Sequence, residues 1–313
     1  MLRHIVRRLL LAIPTLLAVF TIIFVVVRVA PGDPATAVLG DNASKQAVDA
    51  LRERMGLNEP LWKQYLTFLA DLSRGDLGKS LKTGQPVWYQ IRSALPHTLE
   101  LTFAAISIGL AIGVPIGVVT AVQRNRAPDY IGRVVSLVGL SLPAFYLAVL
   151  LIYFFAVKVS WFPAVGAPPL SDLGANLHHL VLPAVTLGLI EMAYIARMTR
   201  SVMIAVLSDD YVRTARAKGL REWVVLVRHA LRAGLIPIVS LVGIFAISLI
   251  GSSVLVEEVF ARPGLGKLMV GATKQKDYTS LQSIMVVYAC IIVVINLITD
   301  ILYTAIDPRV RYS

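Results

Sequence analysis

Charged residues are scarce in this chain. Only 16% of its 313 residues are charged, whereas 57% are hydrophobic, and the mean hydropathy is +0.72. A soluble globular domain carries about 25% charged residues. The composition therefore excludes an ordinary soluble protein and is typical of a protein with several membrane-spanning helices.

Acidic residues and cysteine are also rare. The 19 Asp and Glu face 30 Lys and Arg, which gives a net charge of +11. In a soluble protein this excess would suggest nucleic acid, but in a membrane protein basic residues collect in cytoplasmic loops. We therefore expect a lipid bilayer and no nucleic acid as partner. The single cysteine, Cys290, excludes a disulfide framework and a cysteine-based metal site.

Catalytic motifs are missing from the sequence. No histidine pair has H-E-x-x-H spacing, and no G-x-S-x-G is present. The segment Ser73–Ser80, SRGDLGKS, nearly fits a phosphate-binding loop, but Ser73 stands where the first Gly belongs, and a helical pattern rather than a strand precedes it. We predict a chain without enzyme activity, metal or cofactor.

Six apolar runs are long enough to cross a membrane as helices. At 1.5 Å per residue, about 20 apolar residues span the hydrocarbon core of a bilayer. The predicted spans are Leu9–Val27, Thr98–Val122, Val134–Val157, Leu180–Met203, Leu235–Val256 and Leu281–Ala305. They predict an all-α integral membrane protein whose two termini lie on the same side.

The basic residues indicate which side is cytoplasmic. The two termini and the short loops after the second and fourth spans hold roughly half of the Lys and Arg, whereas the loop at 158–179 holds one. We therefore expect both termini to lie in the cytoplasm. The predicted divisions are a tail and first helix (1–30), an extracytoplasmic region (31–97) and a five-helix core (98–313).

Local patterns predict further detail. In the outer region we expect helices at Ser44–Met55 and Pro60–Leu72. The second of these should present one apolar face, made of Leu61, Trp62, Tyr65, Leu66 and Leu69. The second span carries a ladder of glycines at 109, 113 and 117, which lets helix backbones approach closely in lipid. Pro143 should break the third span.

Ionisable groups inside spans are costly in hydrocarbon and are therefore candidates for function. Glu191 lies near the middle of the fourth span, where it lines a translocation pathway or serves as a buried partner of a neighbouring hydroxyl or backbone group. Arg197 and Arg200, nearer the cytoplasmic end, are expected to reach toward the lipid headgroups.

Two further sets are tentative pathway residues. One face of the sixth span holds Asn296, Thr299, Asp300 and Tyr303. That face either lines the pathway or packs against another helix. Glu257 and Glu258 come at the outer end of the fifth span. They contact a delivered solute or a docked protein, or they form a solvated helix end.

A basic, amphipathic segment (208–234) separates the fourth and fifth spans. Ser208 or Asp209 can cap a short helix that Lys218 and Gly219 end. We interpret this helix as a rigid docking element that a cytoplasmic partner binds, with Tyr211, Ala215 and Leu220 packing on that partner. The alternative is a solvated basic loop. The candidate contact residues are Tyr211, Arg213, Thr214, Ala215, Arg216, Ala217, Lys218, Gly219 and Leu220.

A series of motifs along the whole chain resembles one family. They include PGDP at 31–34, GDLGKSL, LPHTLELT, SLPAF, LPAVTLG, DYVRTARAKGL, RHALRAGLIP, VEEVFARPGLGKL and the terminal DPRVR. In this order they resemble permease subunits of binding-protein-dependent ABC importers, of the dipeptide, oligopeptide and nickel branch. The resemblance implies a type I importer fold.

The resemblance also implies a role for the basic segment. In such importers a cytoplasmic helix with the signature E-A-A-x-x-x-G inserts into a cleft of an ATPase. Gly219 takes the glycine position and Ala215 that of the second alanine. Arg213 stands where Glu is usual, and Thr214 where the first Ala is usual.

Partners and cargo follow from the same resemblance. It implies half of a translocation pathway, completed by a homologous second permease, with two cytoplasmic ATPases that hold ATP and Mg and an extracytoplasmic solute-binding protein. The expected cargo is di- or oligopeptides, with nickel chelates or glutathione as alternatives. An ion-driven secondary transporter is the alternative of a different class, but inverted repeats and an unwound midplane site, which it would show, are not recognisable in the sequence.

Overall fold

A computed structural model describes residues 2–29, 33–40 and 42–306 of the chain. The described part is helical, apart from loops and one isolated bridge between Lys79 and Pro86. Part of the PGDP motif and the terminal DPRVR lie outside these residues, as does the side chain of Tyr303.

Thirteen helices follow one another in the described residues. They are α1 (Leu2–Val29), α2 (Pro34–Leu39), α3 (Lys45–Arg54), α4 (Leu61–Ser73), α5 (Val87–Val122), α6 (Ala127–Ser141), α7 (Ala144–Leu151), α8 (Leu173–Leu207), α9 (Asp210–Ala217), α10 (Glu222–Val224), α11 (Arg232–Val259), α12 (Leu265–Lys274) and α13 (Tyr278–Ile306). Two π-helical segments, Ile152–Lys158 and Val225–Leu231, continue α7 and α10.

The spans agree with the predicted ones in number and place, with one difference in shape. Five helices are long and apolar enough to cross a membrane, and a sixth span results if α6 and the α7 segment count as one. These two are bent by 100° at the break around Pro143. Proline fixes its own φ and disfavours a helical conformation in the residue before it, so the predicted break is confirmed, but a straight third span is not what forms.

Two helices are longer than a bilayer requires. Helices α5 and α8 have 36 and 35 residues, which at 1.5 Å per residue corresponds to roughly 54 and 52 Å. The hydrocarbon core is only about 30 Å thick. Each helix therefore extends beyond the membrane and carries side chains into the aqueous regions.

The described chain forms two compact units. One comprises residues 2–5, Thr98–Arg262 and residues 295–306. Its apolar core includes Leu101, Leu187 and Leu249, from α5, α8 and α11. A second cluster at 121–230 holds the basic segment described below.

The other unit comprises Val6–His97 and Pro263–Val294. Ile23 and Val27 of α1 pack there with Val286 and Ala289 of α13. Helix α3 begins after Ser44, whose hydroxyl accepts a hydrogen bond from Ala47 N, and Gly56 at φ +65° follows its end. Both features agree with the predicted helix.

The apolar face predicted for α4 is only partly buried by this chain. Phe68 and Leu72 pack against the α1–α13 cluster, whereas Leu61, Trp62 and Leu66 are exposed. The helix has an apolar arc wider than the surface that this chain covers, and apolar periodicity alone does not show which part of such an arc is buried.

The segment that imitates a phosphate-binding loop has a different structure. Gly75 and Gly78 adopt positive φ after α4, and the next helix begins only at Val87. A phosphate-binding loop would open a helix directly after its Lys-Ser pair. The segment is thus a turn region, as its position after a helix predicts.

Candidate functional site

Helix α9 is seated on its own chain by two side chains. Val212 is fully buried and Ala215 is 7% exposed. They belong to a cluster with Ala121 of α5, Met203 of α8 and Val225. The short helix is therefore held against the ends of two long helices and not suspended in a loop.

This seating corrects the predicted contact face. Ala215 packs inside this chain, so it is not available to a partner, whereas Tyr211 and Leu220 are exposed, at 44% and 40%. Trp223, which the sequence reading did not single out, is 74% exposed. The exposed apolar residues thus lie beside the buried pair, not on the same face.

A glycine turn ends α9. Lys218 N donates to Thr214 O at 3.1 Å, and Gly219 follows with φ +73°. A Cβ at Gly219 would meet no atom within 4 Å, so the need for glycine comes from the backbone angle and not from crowding. At the other end Asp209 precedes the helix but its side chain makes no capping hydrogen bond, contrary to the predicted cap.

An ion pair spans this turn. Arg216 Nη2 donates to Glu222 Oε1 at 2.7 Å, and its Nε donates to Oε2 at 3.2 Å. The hydrogen bonds from Arg216 hold the pKa of the Glu222 carboxyl below its usual value. The pair joins the end of α9 to the start of α10, and it was missed in the sequence because it depends on the turn geometry between them.

The outward surface of the segment is cationic. Arg213, Arg216, Lys218 and Arg221 are all exposed. Arg213 pairs with Asp210 one turn earlier, and Arg216 pairs with Glu222. We call the exposed set Tyr211, Lys218, Leu220, Arg221 and Trp223 the α9 surface. It combines aromatic and aliphatic side chains with positive charge.

The glycine ladder of α5 packs directly on α8. A Cβ at Gly113 would lie 2.9 Å from Met192 O, and one at Gly117 would lie 2.5 Å from Thr199 Cβ. Real Cβ atoms do not approach that closely, so the predicted close approach of backbones is confirmed.

Glu191 lies at the top of this ladder. It is buried, and a Cβ at Gly109 would come within 2.9 Å of its own Cβ. Its Oε2 has no hydrogen-bond partner among the described residues. Glu191 thus sits in a helix contact, and a role in lining a pathway stays a prediction.

Arg200 does not reach to the headgroups as predicted. Its Nε and Nη2 donate to the two carboxylate oxygens of Asp129 at 2.6 and 2.9 Å. Asp129 is fully buried and also accepts from Asn125 N at 2.9 Å. The bidentate pair joins α8 to the start of α6.

A buried polar network lies at the outer ends of α5, α8 and α11. Arg262 is fully buried, and its Nη2 donates to Glu100 Oε2 at 2.6 Å and to Asn176 Oδ1 at 3.3 Å. Thr98 donates to Glu257 Oε1 at 2.7 Å. Burial lowers the pKa of the Arg262 guanidinium, an effect that Glu100 and Glu257 oppose.

This network changes the interpretation of Glu257. The predicted solvated helix end is wrong for this residue, because its side chain is fully buried inside the chain. Glu258 is half-buried. No sequence pattern pointed to Glu100, Asn176 or Arg262, because they are far apart along the chain.

The polar face of α13 is only partly enclosed. Asn296 is exposed, Asp300 is half-buried, and Thr299 donates to Ile295 O at 2.8 Å. A Cβ at Gly243 would lie 2.3 Å from Thr299 Cγ2. Thr299 therefore packs on α11, while a pathway role for Asn296 and Asp300 stays a prediction.

Comparison with known proteins identifies the family. Residues 113–312 match the family of binding-protein-dependent transport system inner membrane components, and residues 1–102 match the N-terminal domain of such membrane components. The chain belongs to this family. The permease is therefore a multi-pass inner-membrane protein that works with an ATPase and a binding protein.

Similar proteins cover the whole permease. It is 42% identical over 333 aligned positions to the dipeptide transport system permease protein DppB of Alkalihalophilus pseudofirmus, with all of both chains covered. It is 39% identical over 313 positions to the glutathione transport system permease protein GsiC of Escherichia coli K12, again with full coverage.

A solved structure shares the fold. The MetNI methionine ABC transporter in inward-facing conformations matches with a TM-score of 0.58 and 22% identity, covering 70% of the permease and 97% of that chain. The likeness supports the importer-permease fold. Membership of a family of transport components, with ATP hydrolysis on partner subunits, also means that the permease itself is not an enzyme.

Proposed function

We propose that the permease transmits ATP-driven motion to its membrane helices through the α9 surface. The seating of α9 supports this most directly. Val212 and Ala215 bind it to the ends of α5 and α8, and the Arg216–Glu222 pair braces its far end. A short helix held at both ends moves with the long helices, so a push on its exposed side displaces them.

The chemistry of the α9 surface favours a protein partner with acidic residues. Tyr211, Leu220 and Trp223 supply exposed apolar area, and aromatic anchors dominate many protein interfaces. Lys218 and Arg221 supply positive charge beside them. Such a surface suits a cleft that is apolar at its centre and acidic at its rim.

We further propose that the assembly contains a homologous second permease and two ATPases. A cationic handle on each of two permeases would give each ATPase one docking site. Co-purification of the permease with its neighbouring gene products, followed by native mass spectrometry, measures this composition. A permease that purifies alone or as a complex lacking any ATPase would contradict the proposal.

The proposed cargo is short peptides. The two relatives named above transport dipeptides and glutathione, according to their names, and both cargoes are small zwitterions with peptide bonds. Uptake of a labelled dipeptide, with unlabelled glutathione as competitor, tests the class. We expect dipeptide uptake that glutathione reduces or leaves unchanged, and an absence of dipeptide uptake would contradict the cargo.

The energy source separates this function from an ion-driven secondary transporter. Uptake should stop when the ATPase partner carries a substitution that blocks hydrolysis but not ATP binding, because the permease has no motor of its own. The matched experiment adds an ionophore that collapses ion gradients. Uptake that survives the dead ATPase and stops with the ionophore would favour the secondary transporter.

A further inference from the structure

Helix α4 carries more apolar surface than its own chain covers. One face, with Tyr65, Phe68 and Leu72, is directed at α1. A polar face, which includes Lys63, Gln64, Thr67 and Asp71, lines a cavity of about 390 Å³. The third face is apolar and exposed: Trp62 and Leu66 have exposed fractions of 66% and 56%, and Leu61, in the first turn, is 64% exposed.

The contacts of α4 with α1 place it at the level of the membrane. Tyr65 Oη lies 2.6 Å from Thr21 Oγ1, and the Tyr65 ring packs edge-on against Phe24 at 5.3 Å. The α1 span runs from Arg7 to Val29. Thr21 is therefore roughly 12 Å inside the outer end of that span, at 1.5 Å per residue.

The first turn of α4 lies nearer the outer surface. Gln64 accepts a hydrogen bond from Arg28 Nε at 2.9 Å, one residue before the span ends. Helix α4 thus runs beside the outer part of α1, with its beginning at the polar boundary and its middle at the level of the acyl chains.

The exposed face of α4 continues an exposed apolar face of α1. Ile22, Val25, Val26 and Val29 are exposed, and they lie on the side of α1 next to the one that Thr21 and Phe24 present to α4. Two adjoining helices thus present apolar side chains at the same depth. Water at that depth is excluded by the bilayer, and lipid is the surrounding medium.

We propose that α4 is an interfacial helix of the outer leaflet. Trp62 and Leu66 contact acyl chains, and the face with Lys63 and Thr67 lines the polar cavity within the chain. Tryptophan suits this position because its ring is amphipathic and concentrates at the membrane boundary. A water-borne binding protein is a less suitable occupant, because it docks above the headgroups and not beside the middle of a span.

Photocross-linking in the assembled transporter tests this contact. Benzoylphenylalanine replaces Trp62, Leu66 or Thr67, one at a time, and the transporter is irradiated in native membranes. Only variants that assemble and take up cargo are compared. Mass spectrometry should find lipid adducts at positions 62 and 66 in several-fold excess over position 67, whose side chain is on the polar face.

Other occupants would give a different product. Adducts of positions 62 and 66 with a second permease or with the solute-binding protein would overturn the proposal, and so would equal lipid labelling at all three positions. None of these outcomes depends on the identity of the cargo or on the role of α9.

A matched pair of substitutions gives an independent measurement. Leu66→Asn puts an amide on the lipid-facing side, where it loses water as a partner, whereas Thr67→Asn puts the same amide on the polar side. In nanodiscs we expect Leu66→Asn to lower the melting temperature of the transporter by several degrees and Thr67→Asn to leave it unchanged. Equal effects would contradict a lipid-facing Leu66.

Discussion

The turn that ends α9 depends on the backbone angle φ of Gly219. Its φ of +73° lies in the left-handed region, which costs most residues about 1–2 kcal/mol, less for Asn, and is a marked outlier for β-branched residues. The turn also sets the direction in which Leu220 and Arg221 leave the helix. The angle thus links a single residue to the shape of the α9 surface.

Two substitutions of Gly219 distinguish the effect of the backbone angle on uptake from the effect of side-chain volume. Because nothing lies within 4 Å of an added Cβ, we expect Gly219→Asn to retain most peptide uptake and Gly219→Val to lose most of it, with normal membrane insertion in both. Uptake in membrane vesicles and quantification of the inserted protein measure this. Normal uptake by the valine variant would contradict a need for the turn.

The Arg216–Glu222 pair is a second feature at this scale. Both side chains are more than a third exposed, so solvent screening limits the pair to at most about 1 kcal/mol. The lowered pKa of Glu222 means that this contribution is present above the usual carboxyl pKa and is lost as the pH falls through the lowered value. At neutral pH the pair is fully formed.

A charge swap tests whether Arg216 acts within the chain. Arg216→Glu places two carboxylates together and should reduce uptake, because two negative charges that repel each other replace the ion pair. The double variant Arg216→Glu with Glu222→Arg restores an opposite pair and should recover most of the uptake. If the double variant is expressed normally but does not recover uptake, Arg216 instead contacts a partner subunit directly.

At the scale of helices, close packing between α5 and α8 holds the segment that carries α9. A Cβ at Gly117 would lie 2.7 Å from the backbone oxygen of Ala196, and a backbone atom cannot turn aside as a flexible side chain can. Gly117→Ala should therefore destabilise the permease by about 1–3 kcal/mol.

Gly251 provides the matched control. It is also inside a helix, but nothing lies within 4 Å of an added Cβ. Gly251→Ala should be neutral or stabilising, by up to about 1 kcal/mol, because alanine favours helix. Thermal unfolding of the two variants in detergent measures the difference, and equal melting temperatures would contradict the close approach.

The outer network around Arg262 gives a prediction about buried charge. Arg262→Met removes the cation that Glu100 faces and should cost about 3–5 kcal/mol, because it leaves buried carboxylate charge uncompensated. Arg262→Lys keeps the charge and should cost less. Expression level and melting temperature rank the variants; a methionine variant as stable as the native chain would show that the network contributes little.

Much of the helical architecture could be predicted, because its sequence signals are local. Long apolar runs predicted the spans, and the four-residue glycine spacing predicted a close helix contact, since both signals are local. The 100° bend between α6 and α7 was not predicted beyond the break at Pro143, because proline marks a break without setting its angle. Helices α2 and α12 were missed, since short helices leave little periodicity.

The features of the candidate site that could not be predicted depend on contacts between residues far apart along the chain. The motif position of Gly219 was predicted by resemblance, but the burial of Ala215 depends on Met203 and Ala121 in two other helices. Arg200 was expected at the headgroups, yet it binds Asp129, which is 71 residues away along the chain. Such pairings follow only from the packed structure.

At the scale of the whole molecule, the permease combines a set of membrane-spanning helices with the exposed, cationic α9 surface. The family places it beside an ATPase and a binding protein, and its own chain supplies a rigid connection from the α9 surface to α5 and α8. The proposed function requires that work done in the cytoplasm enters the membrane through α9. The uptake predictions for Gly219 and Arg216 depend on that requirement.

A structure of the assembled transporter in nanodiscs, determined by electron cryomicroscopy, tests this requirement most directly. We expect Tyr211, Lys218 and Trp223 to become buried in a cleft of the ATPase, while Val212 and Ala215 keep their contacts within the permease. An α9 that contacts no other subunit, or that lies on the extracytoplasmic side, would contradict the account.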